Sequence, residues 1–273
     1  MIEVMCHVPV AGRWLRAQKI KVSNSAENEN TPTLVFLHEG LGCIEHWKGF
    51  PQKLCMKTGI SGLVYDRKGY GGSDPYDGIW PKDYLIEEAT VDLPELLKAC
   101  GIQNAILIGH SDGGSIALLA AAARQRLVNG AITEAAHIFV EDETLNGIQK
   151  FMRAYNADER LKKKLSRYHG ENTDQVVRRW ANTWLWSEFR DWNIECFLPQ
   201  ISCPLLVLQG ENDEYATVKQ VKKIVSQVKG PVSWEIISKC GHTPHFQASD
   251  HILALMSGFI SSILQGRKMV HGK

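Results

Sequence analysis

The run Ile106–Ala123 reads ILIGHSDGGSIALLAAAA. Apolar residues lead up to Gly109, one serine stands between Gly109 and Gly113, and a long alanine-rich run follows. The first part is composed like a buried strand and the last like a helix. A Gly-x-Ser-x-Gly sequence at such a junction makes a turn too tight for side chains on either flank, so glycine is needed at 109 and 113. The serine is expected at a strained backbone angle with its hydroxyl presented outward, and the helix N-terminus behind it favours negative charge. Ser111 is therefore the candidate nucleophile.

The same alternation extends in both directions. EVMCHVPV and WLRAQKIKV read as an opening strand pair joined at Ala11-Gly12, and the polar SNSAENENTP at 23–32 reads as a loop. Then TLVFLH, a helix near 46–58, GLVYD, a helix near 82–100, AILIG and a helix from 112 follow in turn. After GAITEA the order resumes with PLLVLQG, a helix near 216–228, VSWEII and a last helix near 245–264. Buried apolar runs alternating with helices specify βαβ units, an α/β fold and a mostly parallel sheet. The stretch 141–199, rich in charge and tryptophan (RRWANTWLWSEFRDWN), has a helical pattern and is too long for an ordinary connection. It is expected to form a cap over the carboxyl edge of the sheet, inserted into a core domain made of 1–140 and 200–273.

Composition narrows the classes of function. Thirty-one basic residues face thirty acidic ones, a formal charge of +1, which argues against nucleic-acid binding and against a polybasic membrane anchor. No apolar stretch approaches the roughly 20 residues of a membrane span, and the N-terminus does not read as a signal peptide. Seven cysteines without CxxC spacing read as reduced thiols of a cytoplasmic protein, with no metal site. Nothing in the sequence fixes an oligomeric state.

A serine hydroxyl attacks only when a base takes its proton, and the base needs an orienting acid. Behind PLLVLQG comes ENDEY, and behind VSWEIISKC comes GHTPH, so an acid and a histidine each follow a strand, in that order. Asp213 is read as the acid and His242 as the base. Glu134, after the strand AIT, is a rival acid, Glu214 a helix N-cap, and His245 and His38 are structural histidines. The oxyanion needs backbone N–H donors. Asp112, just after the nucleophile, and Gly40, in HEGLG, are the candidates. Ser73, Asp66 and Arg67 read as turn structure, and Cys43 and Cys240 as small buried residues near the site.

With these motifs in place the chain resembles an α/β-hydrolase of the serine esterase type. The resemblance rests on LHEGLG, YDRKGYGGSD, GHSDGG, GENDEY and GHTPH and spans nearly the whole chain. It implies an eight-stranded, mostly parallel sheet flanked by helices, an inserted helical cap, a triad of Ser111, Asp213 and His242, and no cofactor. One departure stands out: the family usually has His-Gly where this sequence has His38-Glu39. Glu39 either braces the loop or meets a positively charged substrate. The expected pocket includes Glu39, Leu41, His110, Trp184 and Trp186. Most of the aromatic residues Trp180, Trp184, Trp186, Phe189 and Trp192 are expected to pack the cap onto the body, and RLKKKL at 160–165 to be a solvated helix face.

The activity implied is hydrolysis of a small or medium carboxylic ester through an acyl-enzyme. A serine at 111 argues against alkyl-enzyme chemistry on haloalkanes or epoxides, which needs a carboxylate nucleophile. The same triad also serves C–C bond hydrolases, thioesterases, lactonases, amidases and acyltransferases, and a slow-turnover, receptor-like ligand binder shares the fold.

Overall fold

The computed structural model describes residues 1–22, 31–124 and 126–266, so most of the polar run expected as a loop, at 23–30, lies outside the described residues. Strands β1 (Ile2–Val10) and β2 (Arg13–Lys21) form the opening hairpin. Its two-residue turn, Ala11 and Gly12, has φ of 48° and 75°, the handedness that matches strand twist. Then come β3 (Thr33–Leu37), α1 (Phe50–Thr58) and β4 (Gly62–Tyr65). The helix expected near 82–100 runs from Tyr84 to Ala99, its α-helical ends α2 (Tyr84–Glu87) and α3 (Leu93–Ala99) joined through a wider π-helical turn at Glu88–Asp92. Pro94, with no N–H to give the ladder, stands just after that turn.

The centre of the fold is β5 (Ala105–His110), α4 (Asp112–Ala123) and β6 (Val128–Glu134). Three helices follow β6: α5 (Asp142–Ala157), α6 (Glu159–His169) and α7 (Thr173–Leu185). The chain returns to the sheet as β7 (Leu205–Gly210), α8 (Val218–Gln227) and β8 (Val232–Ile237), and ends in α9 (Pro244–Gln247) and α10 (Ser249–Leu264).

All eight strands form one sheet in the order β1-β2-β4-β3-β5-β6-β7-β8. The pairs β1–β2 and β2–β4 are antiparallel and all others are parallel. Every residue of β5 is buried, which is why its sequence shows an unbroken apolar run rather than alternation. Its side chains feed both cores: Ala105 and Leu107 one face, Ile106 and Ile108 the other. The strands β3, β5, β6 and β7 run side by side in the same direction, so the loops carrying Gly40, Ser111 and Asp213 emerge along one edge.

Candidate active site

The turn at Ser111 is built as the glycines demand. Ser111 has φ 54° and ψ −116°, a conformation that a non-glycine residue holds only under tertiary constraint. A Cβ on Gly113 would run into the carbonyl oxygens of Leu37 and His38, and one on Gly109 would strike the backbone of Gly113 and Gly114. Strand β3 and helix α4 can therefore cross β5 this closely only at glycine. The Ser111 N–H donates to the Glu134 carbonyl (2.8 Å), tying the turn to β6.

The acid and histidine loops are locked to each other before their side chains meet. Asn212 N–H donates to the Cys240 carbonyl (2.8 Å) and Glu211 N–H to that of Ile237 (2.9 Å). His242 is held at both of its backbone groups: its N–H donates to Glu214 Oε2 (3.0 Å), and its carbonyl accepts from His110 Nε2 (2.7 Å). Its ring then bridges the other two residues. Nδ1–H donates to Asp213 Oδ1 (2.8 Å), and Nε2 accepts from Ser111 Oγ (3.0 Å). Asp213 Oδ1 also accepts the Tyr215 N–H (2.9 Å), which fixes the carboxylate's rotation. Burial works against a charged His242, but the Asp213 carboxylate outweighs it and the ring's pKa is raised. Asp213 is lowered in turn by His242 despite its own burial. His110 is held well below the usual histidine range by burial and by His242, so it stays neutral and keeps one N–H for that carbonyl.

The loop after β3 presents the Gly40 amide. The carbonyl of the Glu39–Gly40 peptide accepts from His38 Nδ1 (2.7 Å), from Arg67 Nη2 (3.1 Å) and from the Gly42 N–H (3.1 Å). In a trans peptide the N–H lies opposite the carbonyl, so three donors on that oxygen aim the Gly40 N–H away from them. Neither that amide nor the Asp112 amide has a protein acceptor among the described residues, and both residues line the same cavity as Ser111. Arg67 also reaches Asp112 Oδ2 (3.4 Å), which takes the Tyr84 hydroxyl as well (2.9 Å). It thus ties together the two loops that carry the free amides, a wider task than the local turn bonds expected for it. Its sequence signal, an Asp-Arg after a buried strand, names the turn and not its partners.

A cavity of about 320 Å³ opens above these groups. Glu39, Leu41, His110 and Trp184 line it, together with Trp180, which packs against Gly40. Trp186 does not. It caps the end of α7, 37% exposed, because the inward stripe of that helix is Trp180 and Trp184, one turn apart. Nor is RLKKKL wholly a solvated face, since Leu161 and Leu165 of α6 line the cavity, with Lys164 beside them. Phe189 and Trp192 stack on each other (5.5 Å between centroids) and are buried.

The rival readings sort themselves by partner. Glu134 pairs with His245 Nδ1 (2.5 Å), both buried, and so lies outside the Ser111–His242 chain. Glu214 holds the His242 N–H, while the N-cap of α8 is Thr217, correcting the cap reading. Glu39 braces its loop, accepting from the Leu41 N–H and from His46 Nδ1 (2.5 Å). One group among the described residues has the donors for a cation: Cys43, Glu45 and Asp66. Arg16 already neutralises it, at 2.6 Å from each carboxylate, and burial pushes the Cys43 thiol upward, which keeps it protonated.

Comparison with known proteins places the chain in a family. Residues 34–253 match the family described as "Alpha/beta hydrolase family". The chain belongs to the α/β hydrolase family. It is 28% identical over 204 residues to the human protein named Serine hydrolase BPHL, covering 72% of this chain and 68% of that one. A proline iminopeptidase of Saccharolobus solfataricus is 25% identical, with 84% and 85% covered. Among solved structures, proline iminopeptidase from Mycobacterium smegmatis superposes with a TM-score of 0.72 at 18% identity, covering 96% of this chain and 99% of that one. The enol-lactonase of Burkholderia xenovorans gives 0.72 at 17%, covering 94% and 100%. The family makes this chain a hydrolase. The names of its relatives differ in the bond attacked, so the substrate must be argued from the site. Among the described residues no helix is long and apolar enough to cross a membrane.

Proposed function

We propose that this α/β hydrolase cleaves a small or medium carboxylic ester through an acyl-enzyme on Ser111. The observation that carries the reading is the continuous chain Asp213–His242–Ser111, with hydrogen bonds of 2.8 and 3.0 Å ending at the serine hydroxyl. His242 takes the Ser111 proton as Oγ attacks the ester carbonyl. The free amides of Gly40 and Asp112 receive the oxyanion. The tetrahedral adduct collapses as His242 passes its proton to the leaving alkoxide, and water, deprotonated by the same ring, then frees the acid. Asp213 holds the tautomer with the proton on Nδ1 and offsets the charge that the ring acquires. A serine in this place supports acyl transfer over epoxide opening.

The cavity volume suits a small or medium substrate, at the low end of the roughly 300–1,000 Å³ of ligand sites. Residues 141–199 act as the cap, giving the cavity its apolar wall through Ile148, Phe151, Leu161, Leu165, Trp180 and Trp184. Seven cysteines, all of them thiols, support a cytoplasmic location.

The test is steady-state hydrolysis of nitrophenyl esters of rising acyl length by wild type and Ser111→Ala. Turnover by the wild type, reduced about 10⁶-fold in the variant, is the expected result. Equal turnover in both removes Ser111 as nucleophile. Inertness of both across the series removes simple esters and moves the same triad to thioester, lactone or C–C substrates.

A further inference from the structure

Besides the catalytic groups, the cavity is lined by polar side chains that the ester chemistry does not use. His46, in the short turn Ile44–Trp47, lines the cavity and spends its Nδ1–H on Glu39 Oε1 (2.5 Å). Its other ring nitrogen, Nε2, has no protein partner among the described residues. The Tyr168 ring lies 5.0 Å from the His46 ring, and its hydroxyl has no protein partner among those residues. Lys164 stands one helical turn before Tyr168 on α6, hence on the same face, lines the same cavity, and forms no ion pair among those residues.

Glu39 is the carboxylate that His46 meets, and both of its oxygens are engaged, by His46 and by the Leu41 N–H, while Glu214, which also lines the cavity, accepts the His242 N–H. Burial opposes the charge on His46, yet Glu39 outweighs both burial and the repulsion from Lys48 and Lys164, so the ring's pKa is raised, which favours the form in which Nε2 is a donor. With His46 protonated, these side chains offer three free donors and, counting Glu39, His46 and Lys164, a surplus of one positive charge. A monoanion matches that surplus, and a planar two-oxygen group can take several donors at once.

We propose that His46, Lys164 and Tyr168 form a subsite for a carboxylate carried by the substrate, so that the ester cleaved at Ser111 belongs to a molecule with a second, free acid group. The inference rests on the ester-hydrolase reading of Ser111, and two experiments separate them. In the first, kcat/KM for mono-4-nitrophenyl adipate is divided by that for 4-nitrophenyl hexanoate, which has the same chain length without the acid. The wild-type ratio should be about tenfold or more, as expected for a charge-assisted hydrogen bond. Tyr168→Phe and Lys164→Ala should lower it, and Lys164→Glu should bring it below one. A wild-type ratio at or below one, or a ratio that Lys164→Glu leaves in place, overturns the subsite.

The second experiment needs no turnover: calorimetric binding of monomethyl adipate and methyl hexanoate to Ser111→Ala, with and without Lys164→Glu. Monomethyl adipate binding that is tighter than methyl hexanoate binding and lost with Lys164→Glu sustains the subsite even if every ester proves inert. Monomethyl adipate binding no tighter than that of methyl hexanoate, beside active ester turnover, leaves the hydrolase reading standing and removes the subsite.

Discussion

At the scale of single residues, the site depends on a histidine whose two faces are set by different neighbours. In the proposed mechanism His242 is a base only when neutral, so activity is expected to rise as pH climbs through its pKa. Asp213 raises that pKa above the ordinary 6.5 in spite of burial. The acid limb of kcat/KM should therefore have its midpoint above 6.5 in the wild type. Asp213→Asn removes the charge that raises it. The midpoint should move down, and the plateau should fall about 10⁴-fold because the tautomer is lost with the charge. A pH profile of both proteins on one nitrophenyl ester decides the matter: a midpoint that stays put in Asp213→Asn would mean that another carboxylate, such as Glu214, sets the base. Ser111, Asp213 and His242 were legible because each belongs to a short motif at the end of a strand. The bracing roles of Arg67, on the Glu39 carbonyl, and of His110 and Glu214, on His242, were not. Each works through a backbone group far away in sequence, as His110 does on the His242 carbonyl (2.7 Å).

At the scale of elements, glycine shows how the sequence encodes close crossing. Gly113 opens α4 where that helix passes β3, and a Cβ there would stand 2.8 Å from the His38 carbonyl oxygen and closer still to that of Leu37. Gly258, in the middle of α10, is exposed and has nothing within 4 Å of the same position. The same substitution should thus have opposite signs. Gly113→Ala must push backbone against backbone and should cost at least about 1–3 kcal/mol. Gly258→Ala should add about 0.5–1 kcal/mol, because alanine loses less backbone freedom in a helix. Urea unfolding of the two variants measures both, and a stabilised Gly113→Ala would refute the crossing argument. Element order was readable from alternating apolar runs, and α5, α6 and α7 fall between β6 and β7 where the pattern reads as helical. What was not readable is which helix stripe turns inward. Trp186 follows the α7 stripe by two residues and ends up outside, while Leu161 and Leu165 come inside from a run that reads as charged.

At the scale of the whole molecule, the two cores are joined by the strands between them. Val35 and Leu37 of β3 enter one cluster, and Leu34 and Phe36 enter the other. One backbone thus serves both faces, and neither face can lose its packing without disturbing strands that the other needs. Cysteines report on each side: Cys203 sits in the first cluster, Cys55 and Cys240 in the second. Burial raises these thiols to about 11, 12 and 11 respectively, so in the native state they are both shielded and protonated. Exposed Cys196 has no such shield. A brief maleimide pulse at pH 8 should label Cys196 in the folded protein and leave the three buried thiols unmodified. Across a urea series, labelling of Cys203, Cys55 and Cys240 should then appear with one common midpoint, the signature of a single cooperative unit. Mass spectrometry of the labelled peptides gives each midpoint separately. A Cys203 midpoint well below that of Cys55 would mean that one face opens while the other persists, and that the strands between them do not couple the cores.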